Sequence, residues 1–350
     1  AVLNADSCEI YTDVDGVYTT DPRVLPEARR VSQISYDEML ELASLGASVM
    51  HNRSIEFAKK FDVAIHVRSS MTDIPGSMIR SAPESVGKSV SGAAITRNEA
   101  RISLVGLPDI PGTSLMLFDA IASENVTVDM IVQNVGVNGE ADISFTVPRE
   151  ELRVTIEAVE RVLPDLGQNV RFNHADDVSK VSVVGLGMAR QHGVADRMFL
   201  ALADAGINIQ MITTSEIKIS VLVSRDQSLA ALRAVHASFE LDLPPAELLE
   251  QPSSTRGSHD AAAVASRLRR MEDLVISDVK LDDSQGRVTI VAVPDEPGVA
   301  AKVFQQVAAK NIFVDMIVQS YDEKVGQANL SFTVARDSFA DAKKVAEEIA

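Results

Sequence analysis

Two short turns in this sequence combine residues that could bind a small zwitterion. Each has the order Pro-Asp-x-Pro-Gly, at 108–112 and 294–298, and each precedes a helical pattern. The first amide groups of a helix carry partial positive charge that suits a carboxylate, and glycine lets a ligand approach the backbone closely. Asp109 is placed to hold an ammonium group. A free amino acid carries both groups, whereas the plain alternative is a tight turn without a ligand.

The hexapeptide Val-Asp-Met-Ile-Val-Gln follows both turns, at 128–133 and 314–319. Turn and hexapeptide recur at one offset of 186 residues, so a whole supersecondary unit is repeated. Asp129 and Gln133 could contact the side chain of a bound amino acid if they face the crevice beside the turn. The alternative is that they are edge polar residues. The matched unit indicates a ligand-sensing module rather than a catalytic site.

Three copies of one element order must position these residues. The first copy predicts strands at 102–107, 126–133, 141–147 and 169–173, with helices at 113–123 and 150–162. This is the β-α-β-β-α-β order of ferredoxin-like folds. The second copy predicts strands at 181–186, 207–213 and 217–224, with helices at 193–205 and 226–239. The third copy starts at 288–294, and its closing strand is expected near position 356, beyond the sequence given.

The N-terminal stretch has a different pattern. Strand-like runs at 8–14 and 63–69 flank a helical pattern at 36–60, which predicts an α/β piece that starts upstream of Ala1. A loop rich in Ser, Gly and Pro covers 69–92, and the composition changes again after Leu243. The predicted parts are 1–80 (the α/β piece), 95–174, 175–243, 244–284 (a linker with a short helix near 260–271) and 285–350 (an incomplete copy).

Composition narrows the class of protein. The chain has 350 residues, 46% of them hydrophobic, which is enough for several packed cores. Its net charge of −17 disfavours nucleic acid and anionic membranes as partners. Cys8 alone cannot form an internal disulfide, and no apolar run is long enough to span a bilayer. A cytoplasmic location is therefore expected.

Several short motifs resemble cofactor or metal sites but lack required residues. Gly185 and Gly187 follow a strand, but Arg190 stands where a dinucleotide turn needs a third small residue. Asp13 and Asp15 lack the remaining ligands of a calcium loop. The six histidines show no metal-ligand spacing. The sequence predicts no metal site and no catalytic triad.

The segment TDVDGVYTTDPR at 12–23, followed by RSIEFAKKF at 53–61, resembles the nucleotide-binding C-terminal part of the aspartokinases, in the amino acid kinase family. NIQMITTSE at 208–216 resembles the second of the paired ACT domains of that family. The resemblance implies an α/β fold class, with a partial amino-acid-kinase domain followed by ferredoxin-like ACT domains. Residues 285–350 would open a second ACT pair, whose partner domain we expect to lie outside this chain.

The resemblance also implies two sites. ATP, with Mg²⁺ accompanying it, would be bound by Thr12, Asp13, Tyr18, Thr19, Thr20, Asp21, Pro22, Arg23, Ser48 and Val49. Many relatives have lysine where Ser48 stands, so one charged contact is missing. An effector would lie between Asp109, Gly112, Thr113, Ser114, Asp129 and Gln133 on one side and Val194, Ala195, Asn208, Ile209, Ser215 and Glu216 on the other. Some relatives carry threonine where Ala195 stands. In the third copy the corresponding residues are Asp295, Gly298, Asp315 and Gln319.

The activity implied is aspartate kinase, which transfers a phosphoryl group from ATP to L-aspartate and gives 4-phospho-L-aspartate. This is the first step of lysine, threonine and methionine biosynthesis, with lysine, threonine or both as feedback effectors and a homo-oligomer built through ACT domains. The family's catalytic residues precede the region given, so this chain alone is expected to be inactive. A non-catalytic ACT regulatory subunit and a stand-alone amino-acid-binding module remain alternatives. The kinase-type residues 1–68 argue against the regulatory subunit as the whole explanation, and the stand-alone module would not need the loop at 12–23.

Overall fold

A computed structural model describes residues 5, 7–46, 49–84, 87–135, 139–188, 191–246, 281–322 and 326–349. The chain forms two compact units. Unit 1 comprises Ala1–Ala94, Val184–Arg190 and Glu240–Ser284, and unit 2 comprises Ile95–Val183, Gln191–Phe239 and Gln285–Ala350. The helix predicted near 260–271 lies outside the described residues.

Unit 1 is an α/β unit with a four-stranded sheet. Its elements are β1 (Cys8–Thr12), β2 (Gln33–Ser35), α1 (Tyr36–Ser44), α2 (Asn52–Lys60), β3 (Ile65–Ser69) and β4 (Ser77–Arg80). The sheet order is β1-β3-β4-β2, with β1 parallel to β3 and β4 antiparallel to it. The helical pattern predicted over 36–60 is therefore two helices, because α1 ends before Gly46, and the loop predicted over 69–92 contains β4.

A buried carboxylate organises the core of unit 1. Ser35 caps α1 by accepting a hydrogen bond from the Glu38 amide at 3.1 Å, and the Glu38 side chain accepts one from the Ser35 amide at 3.1 Å. This capping box fixes the helix start. Glu38 also accepts hydrogen bonds from Ser91 Oγ and, at 3.0 Å, from the Leu186 amide. One side chain thus joins α1 to two distant segments of unit 1.

Unit 2 holds the three copies in one nine-stranded sheet. Its strands are β5 (Gly92–Pro108, which begins in unit 1), β6 (Asp129–Val135), β7 (Glu140–Pro148), β8 (Arg171–Val184, which ends in unit 1), β9 (Met211–Ser215), β10 (Lys218–Ser224), β11 (Gln285–Pro294), β12 (Val314–Asp322) and β13 (Gln327–Ala335). Its helices are α3 (Thr113–Ala122), α4 (Leu152–Leu166), α5 (Val194–Asp204), α6 (Ser228–Ser238), α7 (Val299–Ala309) and α8 (Phe339–Ile349). The sheet order is β11-β13-β12-β9-β10-β8-β5-β7-β6.

The long strands β5 and β8 differ most from the sequence prediction. The strands predicted at 169–173 and 181–186 belong to one continuous strand, β8, which lies between β10 and β5. Its first half is largely exposed and its second half is buried, so the apolar rhythm is absent from 171–177. Strand prediction depends on that rhythm. The first and second copies therefore share these strands instead of meeting as separate modules.

The third copy joins the second edge to edge. Strand β12 pairs antiparallel with β9, with Val318 opposite Thr213 and Gln319 opposite Ile212. Helix α7 packs against α5 on the same side, where Phe199 contacts Phe304 with ring centroids 5.5 Å apart. This pairing carries the sheet from one copy into the next.

Both faces of the sheet are buried in the first copy. Its helices cover one face, as shown by the contact of Phe118 with Phe145. On the opposite face, Met130 and Val132 form an apolar cluster with Met211 of the second copy, and Val318 of the third copy packs against it. A sheet with two covered faces explains the buried residues on both sides of these strands.

Candidate functional site

A pocket lies between the second and third copies. It is partly open to solvent, and only a small part of its space is enclosed. Asn208 and Ile209, just before β9, form one wall, while the turn that contains Asp295 and the start of α7 form the other. Gln319 on β12 lies between them. The edge-to-edge pairing of β12 with β9 builds this pocket.

Asp295 is the charged group that faces Asn208 across the pocket. The Asn208 side chain donates a hydrogen bond from Nδ2 to Asp295 Oδ1 at 3.0 Å. Burial raises the pKa of the Asp295 carboxyl, while that hydrogen bond and the charge of Arg101 act in the opposite direction. The described lining contains no lysine, arginine or histidine. A ligand ammonium group would supply the missing positive charge.

The helix start and Gln319 complete the polar part of the pocket. Gly298 precedes α7 with a φ of 92°, and no side chain caps the first turn. Gln319 is only 6% exposed and donates from Nε2 to the Ile209 carbonyl at 3.0 Å. Among the described residues, no donor to its Oε1 is found. The lining of the pocket thus includes both a helix start with backbone amide donors and side-chain oxygens.

The expected absence of a partner for the third copy was wrong. The second copy of the same chain supplies that partner, since Asn208 and Ile209 contact Asp295 and Gln319. The hexapeptide alone could not reveal this arrangement because it occurs in both the first and third copies. Phe199, Ile207 and Leu330 also line the pocket. The sequence analysis missed them because apolar residues at helix and strand spacing are usually core residues.

The corresponding half-site of the first copy is open. Thr113 Oγ1 donates to the Pro108 carbonyl at 3.0 Å, and Ser114 Oγ donates to Gln133 Oε1 at 3.3 Å. Asp109 and Gly112 are exposed at the start of α3, and Gly112 has a φ of 102°. The described part of the chain does not bring this half-site together with Asn208 and Ile209.

The remaining predicted effector residues lie elsewhere. Asp129 forms an ion pair with Lys180, whose Nζ also lies 3.0 Å from Glu99 Oε1. Ser215 and Glu216 are exposed at the hairpin between β9 and β10. Val194 and Ala195 open α5. The lining of the second–third pocket contains none of these residues among those described.

The predicted nucleotide loop follows β1 in unit 1. Thr12 Oγ1 donates to Asp13 Oδ1 at 3.0 Å, and Arg23 forms a bidentate ion pair with Asp21, with the closest atoms 2.8 Å apart. The Arg23 hydrogen bonds lower the pKa of Asp21, while Asp21 and then Asp13 raise the pKa of Arg23. Arg23 is largely exposed, so its guanidinium is accessible to a phosphate that competes with Asp21.

Other residues of that loop have structural contacts. Thr19 and Thr20 are buried, and Thr19 Oγ1 accepts a hydrogen bond from the Arg29 amide at 3.1 Å. Tyr18 donates from its hydroxyl to Asp15 at 2.9 Å, and burial, followed by that hydrogen bond, raises the pKa of Tyr18. Pro22 is exposed and Val49 is half-buried. Ser48 lies outside the described residues.

Gly185 and Gly187 have a packing role that the failed dinucleotide motif did not reveal. A side-chain atom at position 185 would collide with the backbone of Ser89 and Val90, and one at position 187 with the backbone of Lys88 and Ser89. Close approach of two chain segments is one reason for glycine. Within the described ranges, no group of three or more metal-ligating side chains could hold an ion, and no helix is long and apolar enough to cross a bilayer.

Comparison with protein families assigns both parts of the chain. The ACT domain model matches residues 102–163, 181–239 and 288–349, which together make up just over half of the chain. The amino acid kinase family model matches residues 1–69. These matches confirm the fold class and the family resemblance seen in the sequence.

Individual relatives agree with the family matches. An aspartokinase of Thermus thermophilus is 45% identical over 244 residues, which cover 69% of this chain and 60% of that protein. The crystal structure of aspartate kinase from Synechocystis matches with a TM-score of 0.66 and 34% identity, covering 100% of this chain and 59% of that one. That of E. coli aspartokinase III in complex with lysine and aspartate matches with a TM-score of 0.55 and 26% identity, covering 68% and 52%. The chain therefore spans about three fifths of the length of the curated relatives it matches.

Proposed function

We propose that this chain, which belongs to the ACT domain family, is the nucleotide-binding and regulatory part of an aspartate kinase. The observation that carries the proposal is the presence of an amino acid kinase segment at 1–69 and ACT domains in one chain. The 45% identity to an aspartokinase supports the same assignment. A stand-alone sensing module or regulatory subunit would not need that kinase segment. A cytoplasmic location is part of the proposal, and the presence of a single cysteine supports it.

The reaction is phosphoryl transfer from Mg-ATP to the side-chain carboxylate of L-aspartate. A carboxylate oxygen attacks the γ-phosphorus, the bond to the β,γ-bridging oxygen breaks, and ADP leaves with the electron pair. Catalysis of this step depends on positioning and on positive charge at the phosphates. In this chain Arg23 would supply such charge, with Thr12 and Asp13 beside it, and Mg²⁺ would arrive with the ATP phosphates.

An assay of acyl phosphate formation tests the activity. The 350-residue chain alone is expected to give no ATP- and aspartate-dependent product, whereas the product of the whole gene is expected to give it. Turnover by the 350-residue chain would contradict the assignment of its parts. No turnover by the whole gene product would contradict the kinase assignment itself.

The effectors proposed for the open half-site of the first copy are lysine, threonine or both. Asp109 and the start of α3 provide the carboxylate and the amide groups, while Ser114 and Gln133 add polar side chains. Binding can inhibit only if it favours one conformation of the enzyme. Calorimetry with each amino acid tests the proposal. Absence of heat with both in the oligomeric protein would contradict it.

Glu38 is proposed to couple the regulatory strands to the kinase-type helix α1. It accepts hydrogen bonds from Ser91, just before β5, and from Leu186, just after β8. A shift of either strand would therefore displace the Glu38 side chain and, with it, the start of α1. Glu38→Gln in the whole gene product is expected to weaken inhibition more than basal activity. Unchanged inhibition would show that coupling follows another route.

A homo-oligomer is proposed to form through the open edge of the first copy, defined by Ile110, Leu115, Met116 and Ile131. All four apolar side chains are exposed, and Leu115 is 72% exposed. The equivalent edge of the third copy is covered by the second copy, which indicates that such an edge needs a partner. The proposed occupant is the first copy of a second chain.

Sedimentation velocity tests this interface. Ile131→Asp is expected to shift the chain from dimer to monomer, because a charge would be buried at the contact. Met316→Asp serves as the matched control on an exposed residue of the third copy. A monomeric parent chain, or dissociation by both variants alike, would contradict the proposal.

A further inference from the structure

We propose that Glu84 is a positioning residue for ATP, which acts through Arg29 on the loop of residues 19–29. This role rests on the proposed function, because that loop carries residues assigned to ATP. Glu84 itself is not among the assigned ATP residues and belongs to the segment between β4 and β5. It would hold the loop in shape without touching the nucleotide.

The loop of residues 19–29 is closed at its base by hydrogen bonds. The Thr19 amide donates to the Arg29 carbonyl at 2.8 Å, and the Arg29 amide donates to Thr19 Oγ1 at 3.1 Å. The Ala93 amide donates to the Thr19 carbonyl at 2.7 Å, and Thr19 is only 1% exposed. Within the loop, the Arg23 side chain is 80% exposed. The base is therefore fixed, whereas the group that would meet phosphate is accessible.

The carboxylate of Glu84 holds the Arg29 side chain at this base. Arg29 donates from Nη2 to Glu84 Oε2 at 2.6 Å and from Nη1 to Oε1 at 3.2 Å, and both side chains are mostly buried. Such a bidentate pair fixes direction as well as distance. Ser32 donates to Glu84 Oε1 from its amide at 3.0 Å and from its hydroxyl at 2.7 Å. One carboxylate thus joins the loop base to the start of the next segment.

Neighbouring residues set both the charge of Glu84 and the place of its segment. Burial acts to raise the pKa of the Glu84 carboxyl, but hydrogen bonds from Arg29 and then Ser32 outweigh it and lower the pKa. Gln33 Nε2 donates to the Ala82 carbonyl at 3.1 Å, which ties the segment to β2. The carboxylate is therefore ionised at neutral pH and held in place before a ligand arrives. Support of this kind limits the geometries that a binding site can adopt.

Loss of the Glu84 charge would leave the mostly buried Arg29 guanidinium without its carboxylate. An uncompensated charge in such a place is unfavourable, so the side chain would move toward water. The pairing of Thr19 with Arg29 would loosen, and ATP binding would then include the cost of ordering the loop. Bound ATP restores that order at saturation, so the effect is expected in the KM for ATP and not in kcat.

Steady-state kinetics of the whole gene product test this role. Glu84→Gln keeps an oxygen that can accept from Ser32 and removes the charge that pairs with Arg29. It is expected to raise the KM for ATP about tenfold, with kcat and the KM for L-aspartate changed by less than about twofold. Asp37→Asn removes the charge from an exposed ion pair with Lys59 in the same unit. It is the matched control and leaves all three constants unchanged.

A second variant guards against a folding defect. Ser32→Ala removes one hydrogen bond to Glu84, leaves the ion pair with Arg29 in place and should raise the KM for ATP about threefold. If Glu84→Gln does not fold, Ser32→Ala alone decides. An unchanged KM for ATP in an active variant would overturn the role of Glu84 and leave the kinase assignment intact. A lower kcat with unchanged KM values would show a merely structural role and would overturn it as well. No turnover by the parent protein would overturn the proposed function together with this role.

Discussion

The first and third copies place the same hexapeptide in equivalent strands, yet they bury opposite sides of it. Ile131 is 52% exposed, whereas Ile317 at the equivalent position is 2% exposed. The adjacent methionines show the reverse, since Met130 is 6% exposed and Met316 is 46% exposed. Identical local sequence therefore carries no information about which side of the strand is covered.

The difference in burial comes from the neighbouring copies and not from strand pairing within each copy. Val132 lies opposite Ser144 in the first copy, and Val318 lies opposite the equivalent Ser331 in the third. In the third copy the second copy covers the helix side of the strand, while in the first copy the opposite side packs on the second copy. Tertiary context decides burial here, as it commonly does for β-strands.

Alanine substitution of the two isoleucines gives the largest expected contrast. Ile317→Ala is expected to lower the free energy of unfolding by about 2–4 kcal/mol, because it leaves a cavity in a buried site. At protein concentrations low enough to keep the chain monomeric, Ile131→Ala should cost no more than about 0.5 kcal/mol, as at most exposed positions. Urea denaturation of both variants measures the difference. Equal losses of unfolding free energy would contradict the opposite burial of Ile131 and Ile317.

The methionines provide the reciprocal test. Met130→Ala removes a side chain from the cluster with Val132 and Met211, at an expected cost of about 2–3 kcal/mol. Met316→Ala should change stability by about 0.5 kcal/mol or less. If Met316→Ala is the costlier change, measured by urea denaturation in the same buffer, the assigned burial of the two faces is wrong.

Much of the fold could be predicted from the sequence because it depends on local patterns. The helices after the Pro-Gly turns and the strands at 129–135 and 140–148 followed from periodicity. The continuity of β8 between the strands predicted at 169–173 and 181–186 did not, because exposed residues such as Asp176 and Asp177 break the apolar alternation there. Two signals were available but unused, namely Gly185 and Gly187, which mark close packing.

The candidate site was predictable only in part. Asp295, Gly298 and Gln319 were identified from the repeat, and Asn208 and Ile209 from the family resemblance, but the meeting of these residues in one pocket was not predicted. Edge-to-edge pairing between copies depends on contacts far apart in sequence, so no local pattern reports it. The assignments of individual ATP and effector residues stay predictions.

Asn134, directly after the first hexapeptide, lies on the buried side of β6 and contacts the third copy. Its Nδ2 donates to the Asn329 carbonyl at 3.1 Å, and its Oδ1 accepts from Ser331 Oγ at 2.9 Å. Asn134→Ala leaves buried partners unsatisfied and should cost about 1–2 kcal/mol. Gln133→Ala, on the exposed side, is the control with an expected change within about 0.5 kcal/mol. Hydrogen exchange at β13 should rise in Asn134→Ala alone.

The smallest expected effect depends on pH and concerns Asp129. Burial acts to raise the pKa of Asp129, but the charge and hydrogen bond of Lys180 outweigh it and lower the pKa. A lowered pKa in the folded state means that the carboxylate stabilises the fold above its unfolded pKa, and that this contribution disappears as the pH falls through the folded value.

Asp129→Asn should therefore cost below about 1 kcal/mol at neutral pH, since Asp129 is partly exposed and Lys180 keeps Glu99 as a partner. The difference from the parent chain should hold above roughly pH 5 and shrink below about pH 4. Urea denaturation across that range measures it, with Asp315→Asn in the third copy as the control at neutral pH. A difference that grows on acidification would show that the ion pair of Asp129 with Lys180 does not stabilise the first copy. Apolar burial would then be the reason why this side of β6 is covered by the second copy.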